Sequence, residues 1–165
     1  MFRKKKPEAP APVEAVSVPE PAFDLPPETQ ALPEEARRVG ATALAFLGDA
    51  AYELMVRSRV LSKNGGRVQA LHEDTVGFVN AAFQAKAAMR LQPEFTEAEA
   101  AVFQRGRNAT PGHVPRNQSV ADYHMATALE AVFGYLYLTG QTDRMRALFA
   151  RITEEEDANE KTETE

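Results

Sequence analysis

Residues 41–56 read ATALAFLGDAAYELMV, and residues 123–142 read YHMATALEAVFGYLYLTGQT. Both are runs of helix formers, apolar on nearly every side. Each carries an acid at mid-length and a glycine beside it or one turn away. A helix that is apolar all round belongs inside a protein, and a carboxylate inside needs a proton, a cation or a metal. An arginine or a backbone donor could serve either acid taken alone. Neither helix builds a cationic residue into its apolar face, which favours a metal. The expectation is two helices crossing where glycine lets backbones approach, with Asp49 and Glu130 facing each other. Such an oxygen-rich pocket suits a hard divalent cation such as Mg²⁺.

Within the first helix, about 100° per residue puts Leu44, Leu47, Ala51, Leu54 and Leu61 on one stripe. Asp49 then points among Ala45, Tyr52, Val56 and Val60, with Glu53 one turn later on the same side. This spacing predicts a central helix. Met55, Phe78, Phe83, Met89, Phe103, Met125 and Phe133 are expected in the core.

Helical periodicity runs through most of the chain, near 34–38, 41–62, 67–90 with a break near Gly77, 96–106, 119–139 and 142–152. Breakers fall at KNGG, QPEF and NATPGHVPRNQS. TEAEAAVF opens with a Thr N-cap and Glu99 three positions on, a capping box. No strand alternation persists. The expected fold class is all-α, one domain over 28–152. The Pro/Ala/Glu-rich segment 1–27 and the acidic segment 153–165 are expected to be disordered.

The chain has no cysteine, which excludes a disulfide framework and thiolate chemistry. His72, His113 and His124 lack metalloprotease spacing. The longest apolar stretch, 123–139, is interrupted by His124, Thr127 and Glu130 and falls short of a membrane span. The basic start has no apolar run after it and does not read as a secretory signal, so a cytoplasmic protein is expected. The net charge of −5 is concentrated at one end. Residues 153–165 carry −6, residues 1–27 balance, and residues 28–152 carry +1, so the body does not repel a polyanion. Residues 100–121 contain no Asp or Glu but include Arg105, Arg107, His113 and Arg116. Composition allows a solvated loop there. It also allows a phosphate-binding loop leading straight into the helix of Glu130.

ALAFLGDAAYE resembles the signature helix of the ribonuclease III catalytic domain. RGRNATPGHVPRNQSVADYHMATALEAVFGYLYL is similar to the corresponding segment of the Mini-III subfamily, which lacks the double-stranded-RNA-binding domain. The resemblance covers roughly 35–152. It implies a ribonuclease III-like helical fold and a homodimer that cuts double-stranded RNA using Mg²⁺, with Mn²⁺ as a candidate substitute. It also implies trimming of precursor 23S rRNA, with a large-subunit ribosomal protein as a candidate partner and no membrane. Asp49 and Glu130 match the family's metal-binding and catalytic carboxylates. Glu53 is a candidate to hold an outer-sphere water. Phe46 matches the aromatic that packs into the partner subunit. Arg105, Arg107, Asn108 and Arg116 fall in the subfamily's RNA-contacting loop. Two carboxylates of the full family pattern are replaced by Ala45 and Thr127, as in the Mini-III subfamily. His124 and Met125 are milder departures. The rival reading is a dimeric RNA-binding ribosome-assembly factor that kept the fold and lost the chemistry.

Overall fold

The computed structural model describes residues 30–64, 68–110 and 119–163. The expectations for 1–27, His113 and Arg116 lie outside these residues. Among the described residues the fold is all-helical, with no strand. The elements are α1 (Pro33–Ala36), α2 (Ala41–Asn64), α3 (Val68–Val79), α4 (Ala81–Leu91), a 3₁₀ turn (Gln92–Glu94), α5 (Glu97–Arg107), α6 (Val120–Leu138) and α7 (Thr142–Glu163). No described helix is long and apolar enough to cross a membrane.

Local chemistry sets most of the boundaries. The Asn80 side chain accepts from the Phe83 backbone N–H at 2.9 Å and donates to the carbonyls of Val76 and Gly77, ending α3 and starting α4. The break expected near Gly77 therefore falls at Asn80. Glycine inside a helix costs only about 1 kcal/mol, whereas Asn80 supplies a cap that α4 would otherwise lack. Thr96 and Glu99 form the expected capping box on α5, and Ser119 caps α6 by accepting from Asp122 N–H. Helix α6 ends in a Schellman motif. Gln141 N–H donates to the Leu136 carbonyl at 2.8 Å and Gly140 N–H to that of Tyr137 at 3.0 Å. Gly140 sits between them at φ +67°, a conformation only glycine adopts freely.

The enclosed helix is α6, not α2. Helix α6 packs against α2, α4, α5 and α7, and nine of its residues from Ala126 to Leu136 are buried. Helix α2 buries Leu44, Ala45, Ala51, Tyr52, Met55, Val56 and Val60 against this core and leaves a second apolar ridge open. Phe46 is 83% exposed, Leu54 48% and Leu61 36%. The stripe drawn through Leu44, Leu47, Ala51, Leu54 and Leu61 thus mixes two faces. The true core face runs through Ala45, Tyr52, Val56 and Val60. Met89, expected inside, is also exposed.

Helix α7 continues past residue 152, where the sequence reading ends the domain, and runs through Glu163. Ile152 and Thr153 are buried, so that boundary falls within a docked helical turn, and the Glu- and Ala-containing stretch beyond favours helix. Ahead of α1, the Ala31 backbone N–H donates to the Leu138 carbonyl at 2.9 Å and ties the start of the domain to the end of α6.

Candidate active site

Helices α2 and α6 meet backbone to backbone. A Cβ built on Gly48 would overlap the carbonyl oxygen of Glu130 and stand 2.5 Å from the Gly134 nitrogen. One built on Gly134 would overlap the carbonyl oxygen of Leu44. No side chain fits at this crossing, which is why both positions are glycine. Asp49 follows Gly48 directly, and Glu130 lies one turn before Gly134. The two carboxylates are therefore brought near each other by this backbone contact, and the charge of Asp49 is felt at Glu130.

Their electrostatics follow. Burial first, and then the charge of Asp49, push the Glu130 carboxyl up to about 8. Asp49 is also raised, first by partial desolvation where it borders the core and then by Glu53. Asp49 is exposed rather than buried among Ala45, Tyr52, Val56 and Val60, which belong to the core beside it. The site opens to solvent on the Asp49 side and backs onto the core on the Glu130 side. Tyr52 closes that back wall. It is buried edge-on to Phe133, with ring centroids 5.3 Å apart, and its hydroxyl donates to the Phe78 carbonyl at 3.0 Å. Burial and the nearby Glu130 push its phenol pKa up, so it stays protonated.

An acid held up by burial and by the charge of a second acid is poised for a cation, and oxygen donors suit a hard one. No group of three or more His, Cys, Asp or Glu side chains among the described residues could hold a metal. A pair of carboxylates fits Mg²⁺, which keeps several waters and accepts one or two protein carboxylates plus substrate phosphate. Ala45, buried in the core, and Thr127 supply no carboxylate.

The other expected residues divide. Glu53 is engaged by Arg57, whose Nη2 and Nε donate to Oε1 at 2.6 and 3.0 Å, so one of its oxygens is already committed. Arg105 turns inward, and its Nη1 donates to the Val39 carbonyl at 3.1 Å in the α1–α2 connection. It is a tether before it is a phosphate ligand. Arg107 and Asn108 are exposed at the C-terminal end of α5. Gly106 between the two arginines lets α5 lie on α6, since a Cβ there would stand 2.7 Å from Cα of Ala128. Phe46 projects into solvent one turn before Asp49 on the open ridge of α2.

Two features escaped the sequence reading. Glu99 is 1% exposed and carries, beyond its capping role, a two-pronged ion pair from Arg144, with Nε and Nη2 at 2.8 and 2.9 Å. Despite burial, the hydrogen bonds from Arg144 and Thr96 hold its carboxyl below the usual range. Gln84 of α4 is 2% exposed and reaches the buried side of Glu130, where its amide counteracts the rise of that carboxyl. The available signal was an uncharged long polar side chain in the alanine-rich run AAFQAKAA.

The ribonuclease III domain model matches residues 42–141, which contain both carboxylates and both crossing glycines. The chain belongs to the ribonuclease III family. Within it, the chain is similar to the Mini-ribonuclease 3 of Desulfitobacterium hafniense, at 39% identity over 81% of this chain and 87% of that one. It is also similar to the Mini-ribonuclease 3 of Gloeobacter violaceus, at 50% identity over 68% and 82%. A crystal structure of a Fusobacterium nucleatum protein aligns with a TM-score of 0.67 and 29% identity, covering 72% of this chain and 96% of that one. Both the Mini-III assignment and the helical fold expected from the sequence hold.

Proposed function

We propose that this chain is a Mg²⁺-dependent endoribonuclease that cuts double-stranded RNA as a homodimer and matures the ends of precursor 23S rRNA. Membership of the family makes it an endoribonuclease of the ribonuclease III type. The observation that carries the finer reading is the pairing of Asp49 with Glu130 at the Gly48–Gly134 crossing, with Asp49 the charge that raises Glu130.

Asp49 and Glu130 would hold the ion, and Mn²⁺ is the expected substitute. Bound there, Mg²⁺ supplies Lewis acidity toward the scissile phosphate and makes an attacking water more acidic. The chain's own part is to bring both carboxylates to one opening, to leave the Asp49 side open to the RNA, and to exclude water behind with Tyr52 and Phe133. Hydrolysis then leaves 5′-phosphate and 3′-hydroxyl ends. Glu53 retains a second oxygen for an outer-sphere water.

A-form RNA is gripped through phosphates and 2′-hydroxyls, because its major groove is too narrow for side chains to read. Arg107 and Asn108 at the end of α5, and Arg116 beyond it, supply that grip. The open ridge of Phe46, Leu54 and Leu61 supports the dimer, since an apolar strip of this kind is a surface that a partner covers. It borders Asp49, so a second subunit seated there would bring the two sites of the dimer to one RNA. A large-subunit ribosomal protein would act by presenting the rRNA, and the reading implies a cytoplasmic protein. The testing experiment is cleavage of duplex RNA with and without Mg²⁺, which separates the enzyme from a binding factor of the same fold.

A further inference from the structure

Helix α4 faces the core with Ala81, Gln84, Ala85, Ala87, Ala88 and Leu91. Alanines let it lie close on α6, and leucine would be the ordinary filling for the remaining large position. The chain places a glutamine there instead, 2% exposed. Its Nε2 is buried and makes no hydrogen bond of good geometry among the described residues. A buried amide left in this condition is destabilising, and native proteins rarely keep one without a use. The carboxylate it approaches is that of Glu130.

We propose that Gln84 is a positioning residue for the metal site: its amide donates from the core side to one oxygen of the Glu130 carboxylate and so leaves the other oxygen aimed at Asp49. The inference rests on the metal-site reading given above. The physical need is specific. A glutamate side chain on a helix has three rotatable bonds, and here the core side of the carboxylate is lined by Tyr52, whose hydroxyl is already given to the Phe78 carbonyl. No other donor from the described residues acts on Glu130. Without Gln84 the carboxylate would be free to rotate away from Asp49 or to sit protonated against apolar groups. With it, one oxygen is retained on the core side by a neutral donor, which adds no positive charge to compete with a metal. Hydrogen bonds of this kind are often long in the unliganded protein and tighten when the site is occupied. Loss of a group that orients a metal-binding side chain in this way typically costs about 10–100-fold in metal affinity.

The test uses the full chain and Mn²⁺ as the probe, followed by its spin-resonance signal, beside metal-free thermal melting and the Mg²⁺ dependence of duplex cleavage. The variants are Gln84→Leu and Gln84→Met, with Glu130→Gln as the reference. Gln84→Leu should melt at or above the wild-type temperature, because an unpaired buried amide has been removed. It should nevertheless bind Mn²⁺ roughly 10–100-fold more weakly. Its kcat should be recovered in part by raising Mg²⁺, with the KM for RNA unchanged. Gln84→Met, which keeps the length and loses the donor, should do the same. A higher or equal melting temperature combined with weaker metal binding cannot come from a merely structural role. Wild-type Mn²⁺ affinity in both variants, or a melting temperature well below wild type in both, overturns the inference. If Glu130→Gln also binds Mn²⁺ like the wild type, it is the metal-site reading that falls, and this inference falls with it.

Discussion

A Cβ built on Gly134 would lie 3.0 Å from the backbone nitrogen of Gly48 and overlap the carbonyl of Leu44. The two helices that carry the site cross with no side chain between them. The obstruction would be backbone, not a flexible side-chain end, so no rotamer change relieves it. Gly48→Ala and Gly134→Ala should each destabilise the protein by about 3 kcal/mol or more and separate Asp49 from Glu130. Thermal melting checks the first effect and Mn²⁺ affinity the second. A variant that melts and binds like the wild type would contradict the crossing described.

The raised carboxyl of Glu130 predicts an inverted pH response in the metal-free protein. Its pKa in the fold is about 8 against an ordinary 4.5, so the folded state holds this proton more tightly than the unfolded state does. That contribution is fully present below about 4.5 and is lost as pH rises through about 8, on the order of a few kcal/mol in all. Glu130→Gln, neutral throughout, should flatten the decline. Melting temperatures in chelator from pH 5 to 9 provide the check, and identical slopes in the two proteins would contradict the placement of Glu130.

Phe46 leaves almost nothing in its own protomer to lose on truncation, because it is 83% exposed. Phe46→Ala should therefore act on association alone. If its ring fills a pocket on a second subunit, the loss is about 3–5 kcal/mol, and sedimentation at low micromolar concentration should show monomer. A variant that remains fully dimeric would mean that another surface joins the subunits.

Arg105 and Arg107 are neighbours of one glycine and should behave differently. Arg107→Ala should weaken duplex RNA binding without regard to sequence and reduce the log–log salt slope by about one unit or less. Arg105→Ala removes the hydrogen bond to the Val39 carbonyl and should lower thermal stability instead. A salt titration in Ca²⁺, paired with melting, distinguishes them. Equal effects of the two changes on binding, with no change in stability, would contradict the inward placement of Arg105.

Much of this site was legible because its chemistry is local. Gly48 stands beside Asp49 and Gly134 one turn from Glu130, so the close crossing and the paired acids could be read from two segments. The capping box of Thr96 and Glu99 was legible for the same reason. What could not be read was which apolar face met what. Helix α2 is apolar all round because it serves a core on one side and carries an exposed ridge on the other, and periodicity alone does not separate the two. Long side chains that cross the fold were equally hidden. Arg105 looks like a phosphate ligand until Val39 is seen 66 residues away in the chain. Glu99 and Glu130 both lose solvent, yet one acquires Arg144 and the other Asp49, and those partners depend on how α5 meets α7 and α2 meets α6.

The central claim is that Asp49 and Glu130 act as one metal-holding pair. Single-turnover cleavage of a duplex RNA in Mg²⁺, compared across wild type, Asp49→Asn, Glu130→Gln and the double variant, tests it most directly. Both amides are near-isosteric with the acids and are poor Mg²⁺ ligands, so each single variant should fold and bind the duplex while cutting at least ~1,000-fold more slowly, as losses of groups that act as a unit do. The double variant should be little slower than either single one. Cleavage by Asp49→Asn or Glu130→Gln at the wild-type rate would contradict the account.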